Sequence, residues 1–249
     1  MTVRMAPTTT PAIVVDLMHT VLLSCNTILK EPSPAVAIAS LDAAAIEVQL
    51  FFRVANLDQQ GAARNEIFDL IYRHSKWACM LLAMPLSASV AATSPLSDEA
   101  AAPPRFTPIE LIKSIPLFSA LTDAEQESLA ATTSVRTYRK GDIIARQGEI
   151  LPSLMIVRTG VIVRRRGEDE ASPREIGRLS PGDFFGENGL LAGIGEMSTL
   201  REMTHVAVYE IDQKSFASLL LERPEMAKDL AAILSSGTPT FGESSIPEH

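Results

Sequence analysis

The sequence has no excess of positive charge and almost no cysteine. Its 249 residues carry a formal net charge of -8, which argues against a nucleic-acid-binding protein because such domains usually present a basic face. The two cysteines, Cys25 and Cys79, lie far apart without metal-ligand spacing, and they are interpreted as reduced thiols in or near a core. The four histidines show no ligand spacing either, so we expect no metal site.

Long apolar runs are also missing. No stretch approaches the roughly 18 apolar residues that a membrane helix needs, and the opening MTVRMAPTTTP lacks the basic-then-apolar order of a signal peptide. We therefore expect a soluble cytoplasmic protein. The sequence also lacks a Gly-Lys-Ser/Thr phosphate loop, a nucleophile elbow and a recognisable Ser, His and Asp set. We expect neither an enzyme nor a cofactor.

A proline-rich stretch without apolar periodicity divides the chain. Residues 87–108 read SASVAATSPLSDEAAAPPRFTP, a composition that predicts a linker. We predict one domain over residues 1–86 and a second over residues 109–235. The final residues, 236–249, are polar and are predicted to be disordered.

The N-terminal region alternates helical and strand patterns. A helix is predicted after Thr10, because threonine followed by proline is typical of a helix start. The segments AVAIASL (residues 35–41) and IEVQLFFRV (46–54) predict a β-hairpin. An amphipathic helix over 62–76 and a last strand over 79–84 follow. This order predicts an α+β fold, specifically a ferredoxin-like α/β sandwich.

The C-terminal region begins with helices and continues as short strands. Thr122 and Glu125 form a capping-box pattern at a helix start. After Tyr138 the apolar period becomes two, with glycine turns at regular intervals, which predicts a β jelly roll or barrel. We expect SLMIVRTGVIVRRR (residues 153–166) to form one hairpin. Asp212 is expected to cap the first of the closing helices.

One glycine-rich stretch indicates an anion pocket. Residues Pro181 to Thr199 read PGDFFGENGLLAGIGEMST. Gly186 and Gly189 permit turns and close approaches that a side chain would block. The leucine pair from Leu190 is expected to bury a short helical turn whose free amides attract phosphate.

These motifs resemble the cyclic nucleotide-binding domain family from Ile115 to Leu234. The resemblance rests on the spaced turn glycines, the block FGENGLL and the strand VAVYEI, and it implies binding of cyclic AMP or cyclic GMP. It places the cyclic phosphate against the amides of Gly186, Asn188 and Gly189, and the ribose 2′-hydroxyl against Glu187. The alternative for Glu187 is a surface carboxylate. The resemblance assigns these residues to the ligand: Gly186, Glu187, Asn188, Gly189, Leu190, Glu196, Met197, Ser198 and Thr199.

Glu196 departs from the family pattern. Ligand-competent members carry an arginine there, followed by two small residues and a threonine, and the arginine neutralises the phosphate. A missing charge-assisted hydrogen bond costs about 1.5 to 3 kcal/mol, and carboxylate repulsion adds to it, so we expect weakened binding. Arg201 lies about 16 Å further along a strand and is not expected to substitute. The run Arg164 to Arg166 is interpreted as a solvated hairpin tip.

The N-terminal segments resemble the cytoplasmic domain of small-conductance mechanosensitive channels. The resemblance rests on ILKEPSPAVAIASLDAAAIEVQLFFRV and ARNEIFDLIYRHSKWACMLLAMP. That family forms ring oligomers, which implies self-association through residues 11–84. Two hypotheses remain: the cytoplasmic part of a cyclic-nucleotide-gated mechanosensitive-type channel, associated with a membrane only if a channel region lies upstream, or a free-standing sensor or interaction module. A transcription factor is not favoured, because about 15 residues after Leu234 are too few for a helix-turn-helix.

Overall fold

The protein was analysed as a computed structural model that describes residues 1–83, 107–115, 118–119, 121–167 and 174–222. The chain divides into two compact units, Met1–Phe106 and Thr107–His249. Most of the predicted linker and the whole predicted tail at 236–249 lie outside the described residues. Within the described ranges, no helix is both long and apolar enough to cross a membrane.

Over its described residues, 1–83, the first unit is a three-stranded antiparallel sheet with two α-helices and a short 3-10 helix, Leu57–Gln59. Its elements, in chain order, are β1 (Thr2–Met5), α1 (Pro11–Ser24), β2 (Ala35–Leu41), β3 (Ile46–Phe51) and α2 (Gln60–Trp77). The strand order is β1-β3-β2, and Leu82 adds a single antiparallel bridge to Met5 of β1. The helix predicted after Thr10 and the hairpin of β2 and β3 are both present.

Alternation along β3 explains how the helices cover one face of this sheet. Ile46, Val48 and Leu50 are buried, whereas Gln49 and Phe51 between and beyond them are exposed. The buried three pack with the apolar faces of α1 and α2 in one core. The buried side chains, which recur every two residues along the strand and about every 3.6 residues along the helices, therefore pack together in one core.

The second unit consists of two four-stranded sheets with flanking helices. Its helices, in the part of the chain that the structure describes, are α3 (Pro108–Ser114), α4 (Asp123–Thr132), α5 (Glu187–Ala192) and α6 (Gln213–Glu222). Its strands are β4 (Ser134–Tyr138), β5 (Ile143–Ala145), β6 (Ser153–Thr159), β7 (Ile162–Arg166), β8 (Arg174–Leu179), β9 (Phe184–Phe185), β10 (Thr199–Glu202) and β11 (Val206–Asp212). One sheet has the order β5-β10-β7-β8 and the other β4-β11-β6-β9.

The core of the second unit lies between these sheets. Leu179 and Leu200 of the first sheet pack with Val157, Phe185 and Val208 of the second. The β-sandwich jelly roll expected from the sequence is therefore confirmed.

The helix starts predicted in this unit are also confirmed. Thr122 and Glu125 form a reciprocal capping box, in which the Thr122 amide donates to the Glu125 carboxylate at 2.7 Å. The Ser215 amide donates to the Asp212 carboxylate at 2.7 Å, just before α6. Both caps satisfy amides that have no partner inside the helix.

The predicted hairpin over residues 153–166 is wrong. β6 pairs with β11 and β9, whereas β7 pairs with β10 and β8 in the other sheet. At the connection, Gly160 has a φ of +89°, and a Cβ there would lie 2.3 Å from the carbonyl oxygen of His205. Glycine lets the chain cross from one sheet to the other at this point instead of turning back on itself.

Candidate functional site

The glycine-rich stretch contains β9 and α5, and two of its glycines pack against the backbone at the start of β6. A Cβ on Gly186 would lie 2.3 Å from the Ser153 carbonyl oxygen, and one on Gly189 would lie 2.3 Å from that of Leu151. These approaches are impossible for any side chain. Because neither glycine has a side chain, α5 can pack closely against the backbone at the start of β6. Leu190 is buried beside them.

Glu187 opens α5 as a buried carboxylate. Its side chain is only 4% exposed, so the alternative of a surface carboxylate is wrong. Asn188 donates from Nδ2 to Glu187 Oε1 at 3.3 Å, whereas Oε2 is buried and has no partner among the described residues. Burial raises the pKa of the Glu187 carboxyl, and the nearby Glu196 carboxylate raises it further.

Glu196 is held in place by its own backbone. Its N–H donates to the carbonyl oxygen of Glu149 at 2.8 Å, and its carbonyl oxygen accepts from the Gly148 N–H at 2.8 Å. The turn at 148–149 therefore fixes the position from which the Glu196 side chain enters the domain.

The Glu196 carboxylate lies against the start of α5, and the site formed by Gly186, Glu187 and Glu196 is called the pocket. The side chain is 8% exposed, and Oε1 accepts the Gly186 N–H at 3.1 Å. Burial raises the pKa of this carboxyl, while the Arg164 guanidinium and the Gly186 amide oppose the rise. An anion belonging to the chain itself thus bonds one of the amides that the family resemblance assigns to the phosphate.

The last three residues predicted to contact the ligand, Met197 to Thr199, differ in their exposure to solvent. Ser198 is buried and Met197 is 62% exposed. Thr199 uses its Oγ1 to accept the Gln147 amide at 3.2 Å. The structure therefore brings Glu187, Glu196 and Ser198 into the domain but leaves Met197 facing out.

Sequence reasoning missed Arg164 as a residue of this site. The interpretation of Arg164 to Arg166 as a solvated tip fits Arg166, which is exposed, and is wrong for Arg164. The Arg164 Nε is buried without a hydrogen-bond partner among the described residues. Alternation along β7 gave no signal, because Val163 is buried as well as Ile162. The pairing of β7 with β10 is what places Arg164 opposite Leu200.

A further buried carboxyl, that of Glu202, lies on β10. It is 3% exposed, and neither carboxyl oxygen has a hydrogen-bond partner among the described residues. Burial raises the pKa of Glu202 to about 7, and Asp142 contributes to the rise.

The comparisons with known proteins agree with this architecture. Residues 135–223 match the family model described as the cyclic nucleotide-binding domain. The second unit contains a cyclic nucleotide-binding domain. Such a domain is a regulatory module.

Similar proteins include kinases and channels. The cGMP-dependent protein kinase egl-4 of Caenorhabditis briggsae is 29% identical over 123 residues, which cover 49% of this chain and 16% of the kinase. A cyclic nucleotide-gated potassium channel of Mesorhizobium japonicum is 29% identical over 119 residues, which cover 48% of this chain and 32% of the channel. The chain thus spans under a third of the length of these relatives.

Among solved structures, the catabolite activator protein of Thermus thermophilus is similar with a TM-score of 0.44. It is 26% identical, and the match covers 49% of this chain and 57% of that protein.

The buried carboxyl of Glu202 predicts an unusual pH dependence of stability in this domain. Because the pKa in the folded state is about 7, above its ordinary value, the folded chain keeps a proton that the unfolded chain releases. The stabilisation is complete below the ordinary glutamate pKa and is lost as the pH rises through about 7. We expect Glu202→Gln to remove this loss and to be the more stable protein at about pH 8, by on the order of 1 to 3 kcal/mol.

Thermal unfolding of both proteins between about pH 5 and pH 8 measures this difference. Glu127→Gln is the matched control, since Glu127 is exposed on α4 and its substitution should leave the slope unchanged. Equal slopes for the wild type and Glu202→Gln would contradict the expectation.

Proposed function

We propose that this chain is a cyclic-nucleotide-binding regulatory module whose affinity for cyclic AMP and cyclic GMP is weakened by Glu196. The observation that carries the proposal is the Glu196 carboxylate, buried and bonded to the Gly186 amide at 3.1 Å. A ligand phosphate at this amide meets a negative charge where ligand-competent relatives supply a positive one. Glu187 retains the buried position that suits a ribose hydroxyl, since its Oε2 has no partner among the described residues.

Calorimetric titration of the full chain with cyclic AMP and cyclic GMP tests this proposal. We expect dissociation constants in the micromolar range or weaker, about three decades above the nanomolar range. Glu187→Gln should lower the affinity about tenfold, because it replaces a charged acceptor of the ribose hydroxyl by a neutral one.

Glu127→Gln again serves as control and should bind like the wild type. Nanomolar binding by the unmodified chain would refute the proposal that Glu196 weakens the affinity. If neither nucleotide produced heat at any accessible concentration, the proposal that the chain binds a cyclic nucleotide would be refuted.

The wider role proposed for the module is in a mechanosensitive-type channel. Its support is the first unit, where Leu82, β1, β3 and β2 follow one another across the sheet and the buried faces of α1 and α2 share one core with β3. That is the strand order of a β-α-β-β-α-β ferredoxin-like fold. The second candidate remains a free-standing sensor. Sequencing the coding region upstream of Met1 separates them, since membrane-spanning codons in frame support the channel.

A further inference from the structure

Arg164 lies on the inner face of the jelly roll. In the pairing of β7 with β10, Arg164 stands opposite Leu200, which is fully buried in the core. Residues directly opposite each other in an antiparallel pair share a face of the sheet. Arg165, the next residue, therefore belongs to the other face.

Among the described residues, the Arg164 guanidinium is the cation whose charge acts on both pocket carboxyls. It lies close enough to Glu187 and Glu196 to lower the pKa of both carboxyls. Its Nε is buried and lacks a hydrogen-bond partner among the described residues. A buried, charged donor with unused capacity is energetically costly, and a ligand acceptor would relieve that cost.

The carboxylate of Glu196 completes the arrangement. It accepts the Gly186 amide and therefore takes the place of an external anion at that amide. The buried Oε2 of Glu187 remains without a partner. The pocket thus holds an unsatisfied acceptor, an unsatisfied cationic donor and an anion supplied by the chain.

We propose that Arg164 is the phosphate-binding cation of this pocket and that the Glu196 carboxylate occupies the phosphate position at Gly186 until a ligand displaces it. The proposal rests on the proposed binding of cyclic nucleotides. The family pattern predicts a positive charge at position 196, where this chain has the negative charge of Glu196. In this proposal Arg164, on β7, supplies the positive charge instead. The affinity for a cyclic nucleotide is set by competition between the ligand phosphate and Glu196.

Titration of the full chain with cyclic AMP and with adenosine, which lacks the phosphate, tests the competition. Glu196→Gln keeps the shape of the side chain but removes its charge, so we expect about a tenfold gain in cyclic AMP affinity. Adenosine affinity should not change. A gain of equal size for adenosine, or no gain for cyclic AMP, would overturn the assignment of Glu196.

Arg164 is tested in the Glu196→Gln background. Adding Arg164→Gln should lower cyclic AMP affinity by at least about tenfold, whereas Arg164→Lys should restore part of it and Arg165→Gln, on the other face of the strand, should have no effect. The thermal unfolding of each variant checks that it is folded, and Arg164→Lys carries the test if Arg164→Gln does not fold.

The outcomes separate this inference from the proposed function. If cyclic AMP binds and the Arg164 and Arg165 variants behave alike, Arg164 is not the phosphate cation while the ligand proposal stands. If cyclic AMP binds to none of the proteins, including Glu196→Arg, both proposals fail.

Discussion

Glu196→Arg is expected to raise the affinity for cyclic AMP by about two to four decades. The substitution removes a carboxylate that bonds the Gly186 amide and supplies the charge-assisted hydrogen bond that ligand-competent relatives use. Each of the two changes contributes about 1.5 to 3 kcal/mol, and every 1.4 kcal/mol corresponds to about a tenfold change in the dissociation constant. Calorimetry on the full chain measures the gain directly.

Glu127→Arg is the matched control because it makes the same change of net charge on the exposed surface of α4. It should leave the affinity close to that of the wild type. The alignment of Glu196 with the family arginine would be wrong if Glu196→Arg gave no gain, and long-range charge would explain the gain if both variants showed it.

Gly189→Ala is expected to disrupt the second unit. The new Cβ would lie 2.3 Å from the carbonyl oxygen and 2.7 Å from the amide nitrogen of Leu151, and backbone atoms cannot rotate away as the end of a side chain can. Overpacking of this kind costs about 1 to 3 kcal/mol in the free energy of unfolding. Hydrogen exchange followed by mass spectrometry should show faster exchange in peptides that contain residues 151–157.

Gly177→Ala, on β8, provides the comparison. A Cβ at Gly177 would meet nothing within 4 Å, so this variant should exchange like the wild type. Unchanged exchange in Gly189→Ala would show that α5 shifts freely from β6, contrary to the packing described.

Features set by neighbours in sequence were predicted well. The capping box of Thr122 and Glu125 and the cap at Asp212 depend on residues three apart, and such patterns are visible in a single sequence. The same holds for the start of α1 at Pro11, since threonine followed by proline fixes a helix start locally.

The hairpin of β2 and β3 was predicted, but the pairing of β6 and β7 in the second unit could not be predicted in the same way. The sequence around Gly160 fits a hairpin, yet β6 and β7 take their partners from opposite sheets. The partners of β7 include β10, which lies more than 30 residues later. Local turn chemistry shows where the chain changes direction but not which sheet the next strand joins.

The candidate site shows the same division. The glycine-rich motif and the reversed charge at Glu196 could be identified from their order in the sequence, whereas Arg164 enters the pocket only through the pairing of β7 with β10. The ferredoxin-like assignment of the first unit and its link to mechanosensitive channels stay predictions.

The turn at 146–149 is attached to the pocket at two points. The Gln147 amide bonds the Thr199 hydroxyl, and both backbone groups of Glu196 bond residues 148 and 149. The segment 196–199 and this turn therefore form a small closed ring of hydrogen bonds, and neither side can shift without the other. Because Gln147 and Gly148 are exposed, these bonds connect the segment that carries the interior Glu196 carboxyl directly to the outer surface of the domain.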